Sequence, residues 1–173
     1  MYTARCTRKV LQAMHLPAAA QDQPPSTALG DWYLNFINTR NQRLVHFMSD
    51  RSLLSVLVPV RTLKTVLDRH IASLHDLLED LGVPPAIIQA ELDEMGQRAV
   101  AKTQSRSVLA SMRDLALNAR WILARTPGAT PLEVSHELAE VPRGPLAMAF
   151  PAEAAIALLT QHHSNPIKAV RGA

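Results

Sequence analysis

Apolar and polar residues alternate with a period of two in the first third of the chain and with a helical period afterwards. In residues 32–39 the side chains Trp32, Leu34 and Phe36 share one strand face. Residues 44–48 can return antiparallel after the polar stretch Arg40-Asn41-Gln42, which predicts a hairpin. A two-residue loop at Asn41-Gln42 would set Phe36 opposite Phe47. Asn-Gln is a poor tight-turn pair, however, and a loop of about three to five residues fits as well. Ser49-Asp50-Arg51-Ser52 supplies the next turn, and the apolar run 53–58, stopped by Pro59, makes a third strand. Residues 2–6 and 97–103 read as two further strands. A short helix over 8–15, capped by Thr7, follows the first of them.

The second half is helical. Leu63, Val66, Leu67, Leu74, Leu77, Leu78 and Leu81 form one stripe of a helix over 62–81, which Gly82 ends. Helices are also predicted from Pro85 to Met95, from Ser105 to about Arg125, from a capping box at Thr130 and Glu133 to Ala139, and from Pro151 to about His162. Residues 17–28 hold Pro24-Pro25 and no period, so a loop is expected there. Grouped strands with a helical second half predict a single α+β domain over 1–163: a small, mainly antiparallel sheet with five to six helices on one side. A polar tail, 164–173, is expected to fray.

Composition narrows the setting more than the role. An aromatic share of 4% means a core built from Leu, Val, Ile, Ala and Met. The lone cysteine, Cys6, cannot form an internal disulfide and fits a reducing cytoplasm; its alternation with Tyr2 and Ala4 predicts a buried small hydrophobe. The chain shows no signal-peptide core, and its longest apolar stretch is broken by Pro151 and Glu153, so no membrane span is expected. A net charge of +3 is small for a dedicated nucleic-acid binder, which argues against that partner without closing it.

Four segments carry a resemblance. Arg5-Cys6-Thr7-Arg8-Lys9, Leu29-Gly30-Asp31-Trp32-Tyr33, Ser49-Asp50-Arg51-Ser52-Leu53-Leu54 and Arg106-Ser107-Val108-Leu109-Ala110-Ser111-Met112-Arg113-Asp114 occur in this order. Over roughly residues 1–155 the chain resembles a bacterial family known as a domain of unknown function. The resemblance implies a small stand-alone bacterial protein and carries over no activity, cofactor or catalytic residue.

Candidate chemistry gathers on the helix from Ser105. Val108, Met112, Leu115, Ala119 and Ile122 make its core face; Ser107, Ser111, Asp114 and Asn118 make a polar stripe; Arg106, Arg113 and Arg120 make a basic one, with Leu117 and Trp121 between. If covered, the polar stripe needs partners and becomes a pocket wall near Asp50 and Arg51, with Asp114 pairing to Arg51. The candidate ligand or anion site is therefore Arg51, Arg106, Ser107, Ser111, Asp114 and Asn118. Of the seven histidines, His70 lies within the leucine stripe and reads as a hydrogen-bonded core residue, and His46 shares a face with Leu44 and Met48. No histidine pair has metalloprotease spacing and one cysteine cannot make a zinc framework, so neither metal nor cofactor is expected. The leading function is a non-catalytic binding or accessory module with a protein partner or a second copy, and the pattern leans away from an enzyme. The alternatives are an enzyme assembled from His46, Asp50, Arg106 and Asp114, and a weak nucleic-acid binder through the arginine stripe near Arg5, Arg8 and Lys9.

Overall fold

A computed structural model describes residues 1–15, 17 and 23–164. The loop expected at 17–28 lies partly, and the tail at 164–173 almost wholly, outside those residues. Strands β1 (Tyr2–Cys6), β2 (Trp32–Asn38), β3 (Arg43–Ser49), β4 (Ser55–Pro59) and β5 (Arg98–Lys102) form one sheet in the order β4-β3-β2-β1-β5. Among the described residues six α-helices accompany them: α1 (Arg8–Met14), α2 (Val66–Asp80), α3 (Pro85–Glu94), α4 (Arg106–Arg125), α5 (Pro131–Ala139) and α6 (Pro151–His163). The architecture is α+β.

Two expectations about the sheet need correction. It is mixed, not mainly antiparallel: β2, β3 and β4 pair antiparallel, while β1 runs parallel to both β2 and β5. Long connections through α1 and through α2 and α3 are what allow parallel neighbours. Helices also cover both faces. On one, Trp32, Leu34, Phe36, Val45, Phe47, Val56 and Val58 pack against α1, α2, α3 and α6. On the other, Tyr33, Ile37, Leu44, Met48 and Leu57 pack against α4 and α5. A sheet whose strands are apolar on both sides must be covered twice.

The hairpin loop spans residues 39–42, where Thr39 N–H donates to the Gln42 carbonyl. That four-residue connection shifts the register by two residues, so Phe36 faces Val45 and Phe47 faces Leu34. The edge strand β4 is shielded by α5: Leu57 N–H donates to Ser135 Oγ at 2.9 Å, which removes one exposed ladder donor.

His70 is in the core, as its place in the leucine stripe predicts, but its ring makes no hydrogen bond among the described residues. Its ring stacks on Phe47 at 4.0 Å between centroids and meets Trp32 edge-on at 4.5 Å. Both ring nitrogens are buried and make no hydrogen bond among the described residues, and the same is true of Trp32 Nε1. Burial, with the nearby Arg98 charge second, lowers the His70 pKa to about 3. Cys6 is buried too, and burial pushes its thiol up to about 12, which suits packing rather than attack on a substrate.

Candidate functional site

The α4 helix starts where its sequence says it should. Ser105 Oγ accepts from Val108 N–H at 3.2 Å, and Ser105 N–H donates to Tyr33 Oη at 3.1 Å, which fastens the helix start to β2. The polar stripe then divides. Ser111 is buried against the core, Asn118 is half-buried, and Arg106, Ser107 and Asp114 are exposed. Asp114 pairs at 3.4 Å with Arg143, whose side chain is 10% exposed, and not with Arg51. Arg51 lies on the β3–β4 turn and donates through Nη1 to the carbonyls of Thr27 and Ala28. The expected Asp114–Arg51 pairing is thus replaced by two separate contacts, because the segment around Arg143, far along the chain, reaches α4.

A stability measurement follows from this. Asp114→Ala should cost about 1 kcal/mol or less, since the carboxylate is mostly in water and the contact is long. Combined with Arg51→Ala the effects should add. A coupling above about 1 kcal/mol in urea denaturation would restore the Arg51 pairing.

The residues of the possible enzyme also part company. His46 Nε2 lies 2.8 Å from Ser55 Oγ inside the sheet face, and burial lowers its pKa to about 3. Asp50 Oδ1 accepts from Asp31 N–H, Arg106 is exposed, and Asp114 holds Arg143. His46, Asp50 and Asp114 each serve a different partner.

What the fold does bring together is three of the four segments that carry the family resemblance. Asp31 accepts from Arg5 Nε at 2.7 Å and from Thr3 N–H at 2.8 Å, all three residues being buried. Asp50 N–H donates to the Asp31 carbonyl, while Ser49 Oγ donates to the Leu29 carbonyl and accepts from Ser52 N–H. Gly30 takes φ +77°, and a Cβ there would stand 2.2 Å from Asp50 Oδ1, so only glycine fits this turn. Burial, then the Asp31 charge, raises the Asp50 pKa. The junction locks β1, the start of β2 and the β3–β4 turn into one unit. Its carboxylates and hydroxyls are spent on the chain itself, which makes it scaffold.

The outer face of α4 is different. Leu117 and Trp121, one helical turn apart, are each 61% exposed. A helix apolar on two sides is often packed on two sides; among the described residues only the core face of α4 is covered. Arg113 and Arg120 are exposed beside this pair, and Arg125 stacks over the Trp121 ring at 4.3 Å while pairing with Glu137. Arg120 also borders a groove of about 770 Å³ between the hairpin loop and the end of α4, where Arg40, Gln42, Leu123 and Pro127 form further walls. The signal was in the sequence: a second apolar pair, Leu117 and Trp121, off the core face.

No helix among the described residues is long and apolar enough to cross a membrane. A family model described as a domain of unknown function (DUF6933) matches residues 3–154. No curated protein and no solved structure matches the chain.

Proposed function

As the chain belongs to the family of the domain of unknown function DUF6933, we propose its function from its own geometry: a non-catalytic module that docks an acidic, apolar-anchored protein segment on the outer face of α4. The observation that carries this reading is the exposed Leu117–Trp121 pair set among arginines. Exposed tryptophan beside arginine is the residue chemistry that dominates protein interfaces. Four arginines on α4, Arg106, Arg113, Arg120 and Arg125, against the single acid Asp114 favour a negative partner. The same charges oppose a second copy packed face to face. One exposed aromatic is a poor platform for successive bases, so nucleic acid is the weaker match. A single buried thiol suits a cytoplasmic setting for such a module.

The test is a display selection of peptides on the full chain, followed by titration of enriched peptides with tryptophan fluorescence. Trp32 is fully buried, so a binding-induced change reports Trp121. Enriched peptides should carry Asp or Glu around a Leu or Phe. Trp121→Ala and the Arg113→Glu, Arg120→Glu pair should each weaken binding by about tenfold or more. Trp121→Ala should leave stability within about 0.5 kcal/mol, the range of surface changes, so the loss can be read as binding. Equal affinity for Trp121→Ala, or a preference for oligothymidylate that collapses steeply with salt, would refute the proposal.

A further inference from the structure

The ends of α3 and α6 bring four side chains with metal-ligating chemistry into one place, away from α4. Glu91 and Glu94 share a face of α3, and His162 and His163 close α6. His162 Nε2 lies 3.3 and 3.4 Å from the two Glu94 oxygens, and the two imidazole rings stand edge to face at 4.6 Å. One donor atom each from Glu94, His162 and His163 falls within 4.8 Å of the others. Behind them His163 Nε2 is 2.8 Å from Oε2 of Glu91, a carboxylate with no exposure that also accepts from Ala28 and Leu29 N–H.

We propose that Glu94, His162 and His163 bind a divalent transition ion, with Zn²⁺ the best match. Two imidazoles and one carboxylate are a zinc donor set, and bonds of about 2.0–2.2 Å place tetrahedral ligands roughly 3.3 Å apart. The His162–Glu94 separation already meets that spacing. Rotation of exposed side chains brings in the rest, since His162 is 39% and Glu94 35% exposed. A buried carboxylate holding one ring nitrogen of His163 is the outer-shell support that ligating histidines commonly have. Calcium and magnesium call for oxygen-rich shells that this site lacks. Three protein ligands leave a fourth position for water. Both histidines lie past the family match, which ends at residue 154, while Glu91 and Glu94 lie within it. Its effect is to staple α6 onto α3. Neither histidine belongs to a spaced motif in the sequence, because the partners come from a helix some 70 positions earlier.

Metal-free full chain, without any histidine tag, should bind Zn²⁺ one to one in calorimetry and melt at a higher temperature with the ion. Co²⁺ in its place should give the intense visible bands of a tetrahedral site. His162→Ala, His163→Ala and Glu94→Gln should each lower zinc affinity at least tenfold, while His75→Ala, on the surface of α2, should leave it unchanged. Glu94→Gln alters a half-exposed side chain and keeps the test valid if a histidine variant fails to fold. The proposal is overturned by the absence of a zinc-dependent shift, or by a shift that survives in Glu94→Gln and His162→Ala alike.

Discussion

Asp31→Ala is expected to destabilise the protein by about 3–5 kcal/mol, the cost of removing one partner from a buried ion pair. Asp31 has little freedom to be replaced. Its Oδ2 holds Arg5 Nε at 2.7 Å and its Oδ1 takes Thr3 N–H at 2.8 Å, with side-chain exposures of 6% for Arg5 and 4% for Asp31. The alanine variant takes the carboxylate from the Arg5 charge and leaves the Thr3 N–H without its acceptor, two separate penalties in a dry site. Asp31→Asn, which can still accept from Thr3, should fall between the two. Urea denaturation of both variants reads the effect as a lowered midpoint at unchanged slope. A loss below about 1 kcal/mol, no larger than that expected for the exposed Asp114, would show that the junction is not the fold's fastening point.

Lowering the pH from 7.5 to 5 should remove about 4 kcal/mol of stability through two histidines alone. His46 and His70 titrate in the folded protein at about 3, against 6.5 when free. Above 6.5 both states carry neutral rings and nothing is lost. Between 6.5 and 3 the unfolded chain takes up protons that the folded one refuses, so stability falls as pH falls, by about 2 kcal/mol per histidine at pH 5. Asp50 acts in the opposite sense: burial and the Asp31 charge raise its pKa, so its protonation in acid relieves a buried charge and offsets part of the loss. His70→Leu isolates one contribution. It should be as stable as the parent or more so at pH 7.5, because both ring nitrogens are buried without a hydrogen-bond partner among the described residues, and it should lose only about half as much stability by pH 5. Denaturation midpoints that stay level from pH 7.5 to 5 would contradict the reading.

Residue patterns by themselves determined the elements. The leucine stripe, the Ser105 cap and the Thr130–Glu133 capping box are local features, settled by neighbours within one helical turn. The burial of Cys6 and His70 followed from alternation and from the stripe. Cover on both sheet faces was not expected, although Leu44 and Met48 on one side of β3 and Val45 and Phe47 on the other leave neither face for water. Tertiary structure alone decided the pairings. The parallel placement of β1 depends on crossovers through helices, and the register of the hairpin turned on a loop whose length Asn41-Gln42 does not dictate. Asp114 met Arg143 instead of Arg51, and Glu91 met His163, because ion pairs form between whichever segments the packed helices bring near. The same holds for α4. Its second apolar strip was visible as a pattern, but only the packed fold showed that Leu117 and Trp121 stay largely exposed among the described residues. Periodicity acts over a turn of helix or a strand's pleat, whereas contacts between distant segments are chosen by the burial of the whole chain at once.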